Sequence, residues 1–215
     1  VLVWLSALLG VAFANVLVFI QLGIMSSLSV ATLRPYAFFS ADIMISAKDA
    51  NTLEEGSNVA RQWMLQALAD RDIAEGMGLF VGKLPWDRTG DAIELTAFGV
   101  NPVDAGFLAP EIAGDLSHLA LRDTALLDRL ARGLDRDVAA GIRPQTPFRF
   151  EAQGRTVTAL DTFAGGSGFG GDGYMIVSDQ TFLGLFPDRS SAAPDHILLK
   201  LRAGAEPDAA IARLK

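Results

Sequence analysis

The sequence predicts an α+β protein in two parts, a membrane-spanning helix over residues 1–33 and a mixed α/β domain over residues 34–215. Three observations carry this. The first 33 residues hold no charged side chain, and Arg34 is the first ionisable residue. Pro35 opposes smooth continuation of a helix and puts a boundary where charge begins. Beyond it, helix-like and strand-like runs alternate loosely, with turn chemistry between neighbouring strands.

The opening segment contains 24 apolar residues, two glycines and seven polar residues. A bilayer core is ~30 Å thick and takes ~20 helical residues at ~1.5 Å each, so the segment spans it with turns to spare. Ser29 and Ala31 satisfy the small-residue pattern of a signal-peptide cleavage site, but there is no basic leader, and the apolar run exceeds the ~7–15 residues of such a peptide. A buried core helix would have to be apolar on nearly every face. Asn15 and Gln21 either hydrogen-bond to other helices in an assembled complex or sit tolerated near an interface. Gly10 and Gly23 are too far apart for a GxxxG seam. The chain starts inside an apolar run without an initiator Met and stops inside a helical pattern, so a fragment of a longer protein is expected. Orientation is unreadable without flanking basic loops.

All 18 Lys/Arg and all 25 Asp/Glu follow the helix, for a net charge of −7. The remaining length suits one domain, with room for two lobes. The acidic balance argues against nucleic acid and against an anionic membrane surface as partners. The absence of cysteine excludes disulfides, thiolate metal sites and a Cys nucleophile, and leaves the redox compartment open.

Ala41–Ser46 reads as a short strand. Asn58–Ile73 reads as a helix, with Val59, Trp63, Leu65, Leu68 and Ile73 on its apolar face and Ser57 or Asn58 as N-cap. Gly76 and Gly78 are expected to end it before a strand at Leu79–Lys83. The stretch 87–91 is turn chemistry, pairing that strand with Ala92–Val100. Leu116–Leu134 reads as an amphipathic helix, with Leu119, Leu126, Leu127, Leu130 and Leu134 inward and Arg122, Asp123, Asp128, Arg129 and Arg132 wet. Arg155–Phe163, Tyr174–Val177 and His196–Leu201 are further strands. Ser178-Asp179 caps a short helix through Phe186, and Glu206-Pro207-Asp208 opens another over Ala205–Lys215.

Little of this carries chemistry. Gly166-Ser-Gly168-Phe-Gly-Gly171 matches GxGxxG, but a strand follows where dinucleotide binding needs a helix, so it reads as a glycine loop between strands. Gly82-Lys83 lacks the first Gly and the Ser/Thr of a phosphate loop, since Met77 and Leu84 stand there. His118 and His196 have no ligand pair at metal spacing. There is no GxSxG elbow, and Asp161, Asp172 and Asp179 read as caps and turn residues. No catalytic residue, metal ligand or cofactor site is expected. Trp63 reads as core; Trp86, after Pro85, reads as exposed. The candidate partner-contact positions are Gly165, Gly166, Gly168, Phe169, Gly170, Gly171, Asp172 and Trp86.

The order of segments resembles a known family. Phe19-Ile-Gln-Leu-Gly23 in the helix is followed by Leu79-Phe-Val-Gly82 and Ala97-Phe-Gly-Val-Asn-Pro102. Thr162-Phe163, the loop from Gly165 to Gly173, and Ser178-Asp-Gln-Thr-Phe-Leu-Gly-Leu-Phe186 complete the set. This is similar to the DevC-type permease subunit of ABC exporters, in the MacB/FtsX-like group. The resemblance implies a MacB-type periplasmic core domain after the first transmembrane helix, with three further helices that this chain lacks. It implies a bacterial inner (cytoplasmic) membrane protein with residues 34–215 in the periplasm. The implied partners are a separate ATPase subunit, a second permease copy, a periplasmic adaptor and, through it, an outer-membrane channel of the TolC type. The alternative is a membrane-tethered sensory or ligand-binding domain, which needs a concave pocket with convergent polar groups.

Overall fold

A computed structural model of the protein describes residues 2–87, 93–112, 116–166 and 171–214. Helix α1 (Leu2–Leu33) carries no charge and stands away from the domain over most of its length, as an apolar helix in a membrane would. It passes straight into a 3-10 turn, Arg34–Phe38, whose Pro35 sits at the turn's start.

The chain then forms β1 (Ile43–Ser46), α2 (Gln62–Ala67), β2 (Ile73–Asp87), β3 (Ile93–Val100), β4 (Thr124–Asp128) and α3 (Arg136–Gly141). It continues through β5 (Phe148–Ala152), β6 (Arg155–Phe163), β7 (Gly173–Ser178), α4 (Asp179–Leu185), β8 (His196–Leu201) and α5 (Pro207–Leu214). The strand order is β1-β8-β2-β3-β7-β4-β6-β5, parallel only at β3–β7 and β4–β6. At its far end β5 pairs back onto β2, Trp86 with Ala152 and Asp87 with Glu151, closing β2-β3-β7-β4-β6-β5 into a ring.

The long β2 serves two lobes. Its first half, Ile73–Leu79, pairs with β8, and its second half, Phe80–Trp86, pairs with β3. Asp195 stands at the handover, accepting from the Val81 N–H at 2.7 Å and pairing with Arg189. The small lobe packs α2 and α5 onto β1, β8 and early β2 through Ile43, Val59, Ala67, Ile73, Ile197, Leu199 and Ala210.

In the large lobe, side chains alternate between two cores because successive strand residues point to opposite faces. Phe80, Leu84, Leu95, Ala97, Met175, Val177, Ala125 and Leu127 fill one face with Phe182 and Leu185 of α4. Leu79, Val81, Phe98, Val100, Leu126, Tyr174 and Ile176 fill the other, under Phe38, Phe107 and Leu119. Two glycines let α4 descend on the first face. A Cβ on Gly99 would lie 2.6 Å from the Phe182 Cβ, and one on Gly82 would lie 2.7 Å from the Phe186 ring.

Several expectations are corrected. Leu116–Leu134 is no helix: it is a 3-10 turn, Leu116–Ala120, followed by strand β4, all five of whose residues are buried. A strand covered on both faces lacks the period-two signature, and chance leucine spacing imitated a helix. Asp128, expected to be wet, is fully buried. The helix expected over 58–73 is α2 alone, and Gly76 and Gly78 lie inside β2. There they admit Leu199 and Met64, and Pro194. Strand β5 and helix α3 are additional to the elements the sequence predicts. Trp63 and Trp86 exchange roles: Trp63 is 49 % exposed and Trp86 only 5 %.

Candidate functional site: the joint between helix and domain

The C-terminal end of α1 meets the glycine loop between β6 and β7, and a buried carboxylate organises the meeting. Asp128 ends β4, where one Oδ accepts from the N–H groups of Leu130 (2.9 Å) and Gly165 (2.8 Å), and the other from Gly166 (2.6 Å). Gly165 is required by contact: a Cβ would lie 2.7 Å from the Asp128 carboxylate. Gly166, at φ +84°, occupies the left-handed region that glycine enters freely. Burial raises the Asp128 pKa, against the pull of four backbone N–H groups, those of Leu130, Gly165, Gly166 and Tyr174.

Arg34 closes the joint from the helix side by donating its Nε–H to the Gly165 carbonyl. Four residues on, Phe38 is 4 % exposed and meets three rings nearly edge-on: Tyr174 at 5.0 Å, Phe163 at 5.5 Å and Phe98 at 6.0 Å. Such edge-to-face geometry is favoured by the ring quadrupoles. Phe39 adds a fourth contact, to Phe98 at 5.3 Å. Beside this cluster Lys83 pairs with Glu54 at 3.3 Å. Across the sheet, Lys83 lies opposite Thr96, and Thr96 opposite Tyr174. The Tyr174 hydroxyl is buried with no hydrogen-bond partner among the described residues, and its pKa is raised by burial and by the nearby Glu54 and Asp128 charges.

Of the expected contact positions, Gly165 and Gly166 are thus committed to Asp128 and Arg34. Gly168, Phe169 and Gly170 lie outside the described residues. Gly171 packs toward Thr96, and Asp172 ties the loop's far end to β3 by accepting from the Glu94 N–H at 3.2 Å. Its carboxylate also pairs with Arg132 at 3.4 Å. Trp86 does not join them. It is buried in the ring against Phe148 and Phe150, which contradicts an exposed contact role. Its burial follows from β5, which covers that side of β2. Sequence reasoning missed Phe38 and Asp128; the signal for Phe38 was an aromatic pair directly after the Pro35 boundary.

His196 belongs to the small lobe. Its Nδ1 lies 2.8 Å from the Ser46 hydroxyl and its Nε2 2.9 Å from the Leu53 carbonyl, and burial lowers its pKa. This wires β1 and β8 to the segment before α2. Asp161 and Asp179 bond to the N–H of the next residue, and Asp179 sits in the first turn of α4 behind the Ser178 cap.

No protein-family model and no curated protein matches the chain. Solved structures do resemble it. The extracellular domain of the noncanonic ABC-type transporter YknZ from Gram-positive bacteria superposes with a TM-score of 0.51 at 7 % identity, covering 80 % of this chain and 87 % of that one. The periplasmic region of MacB from Actinobacillus actinomycetemcomitans gives a TM-score of 0.51 at 12 % identity, covering 80 % and 78 %. At such identities the likeness shows the fold. This chain is an apolar helix joined to a mixed α/β domain with the fold of MacB-type ABC-transporter ectodomains.

Proposed function

We propose that the chain is part of the permease subunit of a DevC-type ABC exporter in the bacterial inner membrane, with its domain in the periplasm. In this reading a separate ATPase subunit drives α1, and α1 moves the domain, which acts on a periplasmic adaptor and through it on an outer-membrane channel. The observation that carries it is the joint. A helix that merely tethers a domain can end in a loose linker. This one runs without a break into a turn whose Phe38 is locked among three rings and whose Arg34 holds the glycine loop. The likeness to transporter ectodomains supports the same reading. A sensory role would call for a concave pocket with convergent polar groups, whereas the hollows beside α2 and beside the end of α1 are open grooves.

The test is a short Gly/Ser insert between Leu33 and Arg34 in the assembled transporter. ATP hydrolysis should persist while export falls to background. Export at the rate of the uninterrupted protein would overturn the lever. Residues 34–215 should also capture the adaptor in a pull-down.

A further inference from the structure

The connection from β4 to β5, residues 129–147, carries Arg129, Arg132, Arg136 and Arg143 against only Asp135 and Asp137, with no lysine or glutamate. The chain as a whole has a net charge of −7, so the sign is locally reversed. All four arginines are exposed. Most other described arginines are committed. Arg155 pairs with Asp123, Arg189 with Asp195, and Arg213 with Asp70 and Asp72, while Arg34 and Arg202 donate to carbonyl groups. On the connection, Arg132 pairs with Asp172 at 3.4 Å, whereas the guanidinium groups of Arg129, Arg136 and Arg143 have no acceptor among the described residues. Asp135 caps α3 instead, its carboxylate accepting from the N–H groups of Asp137 and Val138.

The backbone that carries these arginines is held. Ala131, Leu134, Ala139 and Ile142 are buried in the core of the large lobe. Gly173 is required beneath the first turn, since a Cβ there would lie 2.4 Å from that of Ala131. The Arg129 N–H bonds to the Phe163 carbonyl at 2.9 Å and the Arg132 N–H to the Asp172 carbonyl. Farther on, the Arg143 and Thr146 backbones bond to each other at 3.3 and 3.0 Å. Between the charges the fold leaves two apolar side chains in the open, Leu130 at 50 % and Val138 at 42 % exposed. Such a mixture suits a polypeptide. A guanidinium meets a carboxylate through its planar fork, and a backbone already fixed loses little entropy on binding. A small anion would leave Leu130 and Val138 bare.

We propose that this connection docks an acidic polypeptide segment of a partner protein, whose carboxylates pair with Arg129, Arg132, Arg136 and Arg143 and whose apolar side chains cover Leu130 and Val138. Charge complementarity selects the partner, and the total charge concealed it, because steering depends on where charges sit rather than on their sum. The surface begins directly after Asp128, the carboxylate that accepts from Leu130 and Gly165. A partner seated there touches the turn that organises the joint. The docking goes beyond the lever, since it does not depend on what moves α1.

The test places the full chain in phosphatidylcholine nanodiscs and follows, by anisotropy, a short fluorescein-labelled Glu-rich peptide that also carries leucine. The peptide should bind at low salt and weaken about tenfold as ionic strength rises to ~0.3 M, while a matched Lys-rich peptide should not bind. Combining Arg129→Glu, Arg136→Glu and Arg143→Glu should weaken binding about tenfold or more, with the thermal midpoint little changed because these groups have no protein acceptor. Arg122→Glu, exposed but outside the connection, should alter binding less than about twofold. Leu130→Ser should weaken it about threefold without changing the salt dependence. Equal losses from Arg122→Glu and the triple reversal would mean diffuse attraction and overturn the surface. Displacement of the peptide by inorganic phosphate at constant ionic strength would assign the arginines to a small anion and overturn it too, as would absence of binding at low salt. Neither export nor ATP hydrolysis is read, so the lever stands or falls on its own experiment.

Discussion

Replacing Phe38 by Ala tests the joint most directly. The side chain is 4 % exposed and touches rings on three different strands, Phe98 on β3, Phe163 on β6 and Tyr174 on β7. Truncating a buried Phe to Ala costs ~3–5 kcal/mol through lost transfer energy and the cavity left behind. Three edge-on pairs at ~0.5–1.5 kcal/mol each favour the upper half of that range, about 4 kcal/mol. In a domain of this size ~1 kcal/mol shifts the melting temperature by ~2–4 °C, so a fall of about 8–16 °C is expected. Urea and thermal unfolding of residues 34–215 measure this, and Phe38→Leu should lose under about 1.5 kcal/mol by keeping most of the volume. A loss below about 1 kcal/mol for the alanine variant would refute the idea that this ring fastens helix to sheet.

Further outcomes follow from the packing and the buried ionisable groups. Gly99→Ala places a Cβ 2.6 Å from the Phe182 Cβ and should cost about 1–3 kcal/mol by overpacking, whereas Gly141→Ala, with no neighbour inside 4 Å, should change the thermal midpoint little. Because burial raises the Asp128 pKa above 3.8, the stability linked to it is fully present below that value and lost as the pH rises through the folded pKa. The stability difference between wild type and Asp128→Asn should therefore shift against wild type across that window; a difference independent of pH would contradict the burial argument. His196 has the opposite sign: its folded pKa lies below 6.5, so its contribution is present above 6.5 and lost as the pH falls through the folded value. His196→Gln should flatten that acid loss in a pH series of urea melts. Tyr174→Phe removes a buried hydroxyl with no hydrogen-bond partner among the described residues and should raise stability by about 1 kcal/mol in urea melts.

Segments whose signal is local were readable. The β2–β3 hairpin showed alternation around turn residues, α4 announced itself through the Ser178 cap, and α5 through Pro207 and Asp208. Segments defined by what covers them were not. β4 is buried on both faces, so Ala125, Leu126 and Leu127 gave no alternation. Trp86 depends on β5, a distant strand, for its burial, and Trp63 is left bare because the short α2 turns it toward an open groove. In the candidate site, the glycine loop was visible as a loop, but its partner Asp128 lies 37 residues upstream.

From sequence alone came the apolar helix long enough to cross a bilayer, the boundary at Arg34-Pro35 and the α+β class, since charge exclusion, proline geometry and strand patterning act over a few neighbouring residues. Tertiary structure decided the closure of six strands into a ring, the division of β2 between two lobes, and the burial of Asp128 and Phe38 beneath the helix. These rest on contacts between distant residues, whose energies depend on what the folded chain brings into reach and leave no mark on local composition.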